Sequence, residues 1–219
     1  MKQKTVFGCL AVTLVMMAAI VSFLGYWAYK YYGPSLPELP DHGYYESLEH
    51  RSEAALKVIK RHNLNEDYCL FIDYSIPSGT PRLFVWSFKE NRVISSTYVM
   101  HGPGMGSTAE KPVFSNRPCS NCSSLGRFIV TKHRGTRLKR SFRLSGLDID
   151  NRTAYARGLL IHSSKWVDAY CWKDYIPLHE KSCKGCVTVS TRGLDYLENL
   201  INSQQKRLLL WSFCSETDK

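Results

Sequence analysis

Acidic residues and cysteine are both scarce in this chain. Asp and Glu number 19 against 29 Lys and Arg, which gives a net charge of +10 over 219 residues. Eight cysteines are too few for a small disulfide scaffold, and internal repeats and low-complexity tracts are lacking. A content of 44% hydrophobic and 22% charged residues excludes a disordered chain and a coiled coil. The shortage of acids favours an anionic partner, but nucleic acid, a phospholipid surface and an acidic polymer all fit this charge.

Charged residues are also missing from one long stretch near the N-terminus, Thr5–Tyr29. About 20 apolar residues span a bilayer as a helix, and this run ends in an aromatic cluster typical of a membrane interface. Lys2 and Lys4 precede the run, which favours a cytoplasmic N-terminus and an exported remainder. The run exceeds the apolar part of a cleaved signal peptide. We therefore predict a signal anchor over residues 1–30, with secretion after cleavage as the alternative, and no nucleic-acid partner.

Export changes what the cysteines imply. Of the eight, Cys9 lies in the apolar run and seven remain outside. Exported thiols usually pair as disulfides, and an odd number leaves at least one thiol unpaired or paired between molecules. The seven are Cys69, Cys119, Cys122, Cys171, Cys183, Cys186 and Cys214.

Composition divides the rest of the chain. Residues 31–44 are rich in Pro and Gly and are typical of a linker. Residues 45–64 repeat apolar side chains at helical spacing and predict a helix that packs one face on the following domain. In residues 65–219, β-branched and aromatic runs alternate with turn compositions. We predict a mainly β domain with a few helices (α+β), built as a sandwich or open barrel behind the anchor.

Three short stretches are candidates for chemistry. His101–Ser107 has three Gly in five residues, which indicates backbone close to a ligand such as phosphate. The P-loop lysine is missing, however, and a turn between strands explains the pattern as well. His162 ends an apolar run, where a His is most often structural. Gly185 stands immediately before Cys186, and an apolar run follows.

Cys186 and His162 together meet the needs of thiol acyl transfer. The thiol needs a base that raises its thiolate fraction, and the tetrahedral intermediate needs donors for its oxyanion. We predict that His162 is the base and that the Gly185–Cys186 backbone supplies donors. Cys186 is then the cysteine that stays unpaired.

A zinc site is the rival interpretation of the same cysteines. Cys119–Cys122 and Cys183–Cys186 are two C-x-x-C pairs, and four thiolates can bind zinc. The pairs lie about 60 residues apart, far beyond the compact spacing of such motifs. A disulfide within either pair is a further alternative, since C-x-x-C is the thiol-redox spacing. The thioredoxin-like βαβ context of that motif is missing around both pairs.

Six motifs follow one another between residues 101 and 190. They are HGPGMGS, FSN, SSLGRF, LSGLDIDN, ARGLLIHSS and SCKGCVTVS. In this order they resemble the murein L,D-transpeptidase catalytic-domain family of exported bacterial proteins, in particular the branch with HG, FSN and SSLG before the His and Cys motifs. The resemblance covers about residues 67–213.

The resemblance implies a mixed β catalytic domain that acts on peptidoglycan stem peptides. It implies Cys186 as the nucleophile after Gly185, and His162 as the base followed by Ser163. Cys186 would form a thioester as a terminal D-alanine leaves. An amine of a second stem would then resolve the acyl-enzyme, and an L,D-carboxypeptidase is the related outcome.

Further expectations concern substrate contacts and location. The predicted substrate-binding residues are His101, Gly102 and Arg157, and we expect neither a cofactor nor a metal. The catalytic domain would lie in the cell envelope, outside the cytoplasmic membrane. The chain departs from the family pattern at Cys183, where the family has Ser or Thr, and at Lys184, where it has His or an aromatic residue. The family's Arg after the Cys is also absent.

Other roles stay open for the same features. The long aromatic insert between His162 and Cys186 would form a lid, a substrate wall or simple packing. A catalytically silent cell-wall-binding module would use this insert and the basic run Lys132–Arg143. A zinc-stabilised exported interaction domain would use the C-x-x-C cysteines. A Cys183–Cys186 disulfide would switch the enzyme off under oxidation, whereas simple burial is the plainer role of Cys183.

Overall fold

The computed structural model describes residues 13–26, 42–133, 135, 138–181 and 183–214. The chain forms two compact units, Met1–Leu36 and Pro37–Lys219. In the first unit, residues 13–26 form helix α1. The described part of the chain holds no helix with the length and apolarity to cross a membrane. The remainder of the predicted anchor, and residues 31–41 of the predicted linker, lie outside the described residues.

The second unit is mainly β with three helices among its described residues, as predicted. The helices are α2 (His42–Arg61), α3 (Lys165–Tyr170) and α4 (Thr191–Ser203). The first five strands are β1 (Tyr68–Asp73), β2 (Leu83–Ser87), β3 (Arg92–Thr97), β4 (Val99–Met100) and β5 (Gly126–His133). The last four are β6 (Ser141–Gly146), β7 (Leu160–Ser163), β8 (Val187–Val189) and β9 (Leu208–Phe213).

All nine strands belong to one sheet, in the order β3-β2-β1-β9-β5-β6-β7-β8-β4. The pairs β1–β9 and β7–β8 are parallel, and the other pairs are antiparallel. The two outermost strands, β3 and β4, are separated along the chain by Tyr98 alone. One segment therefore reaches from one end of the sheet to the other, and the sheet is nearly closed. It fits the open-barrel alternative of the predicted fold.

Two helices cover the sheet through apolar faces. α4 contributes Leu194, Leu197 and Ile201 to the main core, which it shares with strands from β1 to β9. Its first turn is capped by Ser190, whose hydroxyl accepts a hydrogen bond from the Gly193 amide at 3.0 Å. α2 packs Leu48, Ala55 and Ile59, all fully buried, on β1 and β9. They are three of the five residues that the helical periodicity indicates, and a fourth, Leu56, is partly buried there.

Candidate active site

The parallel pair β7–β8 brings Cys186 and His162 to one face of the sheet. Ile161 is in register with Val187, and His162 with Thr188. Cys186 immediately precedes β8 and therefore lies opposite Leu160. Because side chains alternate along a strand, Cys186 and His162 project from the same face, on neighbouring strands. Their Cα atoms are about 8 Å apart by ideal strand geometry.

The hydrogen bonds of His162 define its tautomer. Nδ1 lies 3.1 Å from the carbonyl oxygen of Ser163, which can only accept, so Nδ1 carries the proton. Nε2 is then the basic nitrogen, and the Thr188 hydroxyl lies 3.4 Å from it. Neither nitrogen hydrogen-bonds Cys186 among the described contacts. The Ser163 carbonyl thus orients the ring with its lone pair on Nε2.

Burial keeps both groups neutral in this arrangement. It raises the pKa of the Cys186 thiol, against the opposing effects of the Leu160 backbone N–H, Arg157, the Lys184 backbone N–H and Arg143. It lowers the pKa of His162, against the Ser163 carbonyl. The resting pair is therefore a thiol beside a neutral imidazole. An imidazole that is unprotonated at neutral pH is able to accept the thiol proton.

Gly185 makes the turn before Cys186. Its φ is +88°, in the left-handed region that favours glycine. A Cβ at this position would lie 2.3 Å from the carbonyl oxygen of Cys122 and 3.0 Å from Nη2 of Arg157. The turn therefore rests directly on the segment around Cys122, and a larger residue would displace Cys186.

The glycine-rich loop after His101 packs on the same segment. A Cβ on Gly102 would lie 2.2 Å from the carbonyl oxygen of Asn121, and one on Gly104 would lie 1.7 Å from that of Ser120. The Gly102 amide donates to the Ser123 hydroxyl at 3.0 Å. The close approach that the glycines indicate is thus an approach to the protein's own backbone. A substrate contact of Gly102 stays a prediction.

His101 is buried inside this arrangement. Nδ1 accepts a hydrogen bond from Arg82 at 3.0 Å, and Nε2 donates to the Thr108 carbonyl at 2.8 Å. Burial, together with Arg82, lowers the pKa of His101 to about 4, while Thr108 opposes the shift. Both ring nitrogens are used within the protein and hold the loop 101–108. The predicted substrate contact of His101 stays untested.

Arg82 and Tyr74 are site residues that sequence reasoning missed. Arg82 is 1% exposed and donates to the carbonyls of Val99 and Ile76, both at 2.9 Å. Burial lowers its pKa to about 10, opposed first by Tyr74. Burial raises the pKa of Tyr74 to about 12, against Arg82 and a hydrogen bond with Ser123. The sequence around Arg82 is typical of a surface turn, so no local signal marks its burial.

Arg157 organises the loop beneath the site. Nη1 donates to the carbonyl of Ser115 at 2.8 Å and to the hydroxyl of Ser124 at 2.5 Å. Nη2 donates to the carbonyl of Cys122 at 2.7 Å and to the hydroxyl of Ser120 at 3.2 Å. The guanidinium therefore joins the FSN and SSLG motifs to the Gly185 turn. Its predicted contact with substrate stays a prediction.

The aromatic insert packs as a wall beside Cys186. Trp166 donates from Nε1 to the Pro177 carbonyl at 2.7 Å and stacks on His179 with ring centroids 4.3 Å apart. The Ile176 amide donates to the buried Ser78 hydroxyl at 2.8 Å, which ties the insert to the turn before β2. Cys186 is partly buried against this cluster.

The described cysteines form no zinc site. The four cysteines of the two C-x-x-C pairs, Cys119, Cys122, Cys183 and Cys186, are free thiols. Cys183 is buried, and its Sγ donates to the Cys186 carbonyl at 3.2 Å. Within the described residues, no group of three or more His, Cys, Asp or Glu is placed to hold a metal ion. The zinc alternative therefore has no support in this part of the chain. Ser182 lies outside the described residues.

A family model described as the L,D-transpeptidase catalytic domain matches residues 43–211, well over half of the chain. The chain belongs to this family. Membership in the L,D-transpeptidase family supports a peptidoglycan-modifying transpeptidase in general. No curated protein matches the chain.

Two solved structures are similar to this L,D-transpeptidase-family chain. The L,D-transpeptidase from Xylanimonas cellulosilytica is 14% identical, with a TM-score of 0.38, over 72% of this chain and 68% of the other. The helical cell shape determining protein Pgp2 from Campylobacter jejuni is 12% identical, with a TM-score of 0.43, over 76% of this chain and 55% of the other.

Proposed function

We propose that this protein is an exported cysteine peptidyltransferase that acts on peptidoglycan stem peptides through a thioester acyl-enzyme. The observation that carries the proposal is the β7–β8 register, which presents Cys186 and His162 on one face of the sheet. The Gly185 turn and the Ser163 carbonyl support it, because they orient the nucleophile and the base. Family membership supplies the substrate class.

In the proposed first half-reaction, Nε2 of His162 takes the thiol proton. Sγ of Cys186 attacks the carbonyl carbon of the residue that precedes a terminal D-alanine. Backbone N–H groups of Gly185 and Cys186 stabilise the oxyanion. The carbon–nitrogen bond then breaks, His162 returns the proton to the departing amine, and D-alanine leaves a thioester behind.

The second half-reaction restores the enzyme. An amine of another stem attacks the thioester and passes a proton to His162, which hands it to the departing sulfur. The new amide cross-links the two stems. Water in place of the amine gives an L,D-carboxypeptidase by the same steps. Substrate binding has to draw Nε2 and Sγ together, because they share no hydrogen bond in this arrangement.

The proposed location is the cell envelope. Its support is the charge-free run Thr5–Tyr29 between Lys4 and Lys30, which is long enough for a membrane helix. The partners are then the membrane, through this run, and the peptidoglycan stems.

The second candidate is a catalytically silent cell-wall-binding module. The absence of a described hydrogen bond between His162 and Cys186, together with the raised pKa of Cys186, favours it. Such a module would bind peptidoglycan without turnover. The exposed Trp172, at 63%, would then belong to the binding surface.

One experiment separates the two candidates. The family resemblance implies that a carbapenem acylates the catalytic cysteine, so the reduced full-length chain is incubated with a carbapenem and its intact mass is measured. We expect one adduct on the native protein, none on Cys186→Ala, and an unchanged adduct on Cys119→Ala, the matched control with an exposed thiol. D-alanine release from a tetrapeptide stem should fall on the order of 10³-fold or more in Cys186→Ala. A folded native protein with neither adduct nor release would be the silent module.

A further inference from the structure

Arg143 lies on the same face of the sheet as Cys186, the proposed nucleophile, and in line with it. This face is called the site face. Arg143 of β6 is in register with Leu160 of β7. Leu160 in turn lies opposite Cys186, one residue before the Ile161–Val187 pair. The three residues form one row across three strands, and side chains in such a row share a face. Arg143 is thus two strand spacings, about 10 Å between Cα atoms, from Cys186.

The guanidinium of Arg143 is half-buried and has no acidic partner among the described residues. Its Nη2 lies 3.3 Å from both ring nitrogens of His133. Its Cζ lies 5.3 Å from the centre of the Tyr155 ring. Burial and Arg143 lower the pKa of His133, so this neighbour is a neutral ring and not a competing cation.

Other arginines of the unit are already engaged. Arg127 pairs with Asp148, and Arg140 pairs with Asp195 and Glu198 on α4. Arg157 lies closer to the Gly185 turn, but its hydrogen bonds go to four groups of the loop beneath the site. Of these three and Arg143, only Arg143 combines a place on the site face with donors left for a ligand.

A carboxylate is the group that fits this cation. Guanidinium binds carboxylate through two parallel hydrogen bonds, and Tyr155, 64% exposed, offers a ring face beside it. In the bound substrate, the carbonyl carbon that Cys186 attacks is joined to the carboxylate carbon of the leaving residue through three bonds. The two carbons are therefore within about 4 Å of each other. If the leaving residue extends along the row from Cys186 towards Arg143, its carboxylate lies between Sγ of Cys186 and the guanidinium of Arg143.

We propose that Arg143 binds the free carboxylate of the residue that leaves from Cys186. The inference rests on the proposed function and deepens it, because it names a specificity residue. The enzyme would then cleave only the last peptide bond of a stem. A stem that continues past that bond, or ends in an amide, would leave Arg143 without its anion.

The test compares tetrapeptide stems that end in D-alanine or in D-alanine amide. Release of the last residue is measured for the native protein, Arg143→Gln, Arg143→Lys and Lys139→Gln. Lys139 is an exposed cation on the same hairpin and serves as the matched control. For Arg143→Gln, we expect kcat/KM for the acid to fall about 10- to 100-fold, while that for the amide stays near the native value. Arg143→Lys should lie between the two, because it keeps the charge but loses the two-pronged geometry.

Each outcome decides the matter. An acid-to-amide preference that collapses in Arg143→Gln and persists in Lys139→Gln supports the inference. Equal losses on both peptides would mean that Arg143 is structural, and the inference would fall while the proposed function stands. If Arg143→Gln does not fold, as judged by circular dichroism, the preference of Arg143→Lys decides in the same way. A native protein that releases neither residue overturns the proposed function, and the inference with it.

Discussion

Among single residues, Cys183 places a donor thiol at the turn that carries the proposed nucleophile. Its Sγ is 3.2 Å from the Cys186 carbonyl, three residues on, and donates to it. Burial raises the pKa of Cys183 to about 12, and the neighbouring Cys186 contributes to this increase. The thiol is therefore protonated at neutral pH and available as a donor. This contact holds the turn at a position where the family resemblance implies Ser or Thr.

The contact predicts different outcomes for two small substitutions. Cys183→Ser keeps a donor of similar reach, so its free energy of unfolding should stay within about 1 kcal/mol of the native value. Cys183→Ala removes the donor and leaves a small cavity, which should cost about 1–2 kcal/mol. Urea denaturation under reducing conditions measures both. Equal stabilities for the two variants would show that the hydrogen bond does not hold the turn.

At the scale of elements, the site depends on one contact between two loops. The loop after β4 and the segment 120–123 touch backbone to backbone at Gly102, and the same segment contacts Gly185 through the Cys122 carbonyl. The β4–β8 pairing, Met100 with Thr188, holds the loop after β4 next to the strand that follows Cys186. A displacement in either loop therefore reaches Cys186, the proposed nucleophile.

Two glycines of the same loop test this coupling. Ala at Gly102 would place Cβ 2.2 Å from the Asn121 carbonyl oxygen, so backbone has to move. A shift of about 1 Å at a site can cost about 10²-fold in rate, and we expect that loss of acylation in Gly102→Ala. Gly106 has a φ of +80° but open space around it. Gly106→Ala should lose about 1–2 kcal/mol of stability and keep its acylation rate. Equal acylation rates in the two variants would contradict the coupling.

Local signals predicted much of this site, and longer-range pairing determined the rest. Alternating β-branched runs, and the glycine before Cys186, depend on neighbours in sequence and were recognisable. The burial of Arg82 depends on carbonyls and a His that the sheet brings to it from β4 and beyond. The place of Arg143 depends on the β6–β7 register. Neither strand encodes that register by itself, so the basic run Lys132–Arg143 does not show in the sequence that Arg143 lines up with Cys186.

For the whole molecule, buried histidine makes stability depend on pH. His101 titrates near pH 4 in the folded chain and near its ordinary value of 6.5 in the unfolded one. As the pH falls from 6.5 to 4, the unfolded chain takes up a proton that the folded chain refuses, so stability is lost over this window. Burial also lowers the pKa of His162, which acts in the same direction.

A single variant isolates the contribution of His101 to the pH dependence of the free energy of unfolding. His101→Gln can still accept from Arg82 and donate to Thr108 but does not titrate. Between pH 6.5 and 4, the native free energy of unfolding should fall by about 3 kcal/mol more than that of the variant. Urea denaturation at five or so pH values, on both proteins, measures the difference. Parallel curves would show that His101 becomes protonated without cost in the folded chain.

The position of β9 sets the order in which the domain can be completed. It is the last described strand along the chain, yet it lies between β1 and β5, with Cys69 paired to Leu209. β1 and β5 share no other neighbour in the sheet, so a nascent chain cannot join them before residue 208 has left the ribosome. Pairings this distant in sequence also form slowly. The sheet of the described residues is therefore completed only after β9 has been synthesised.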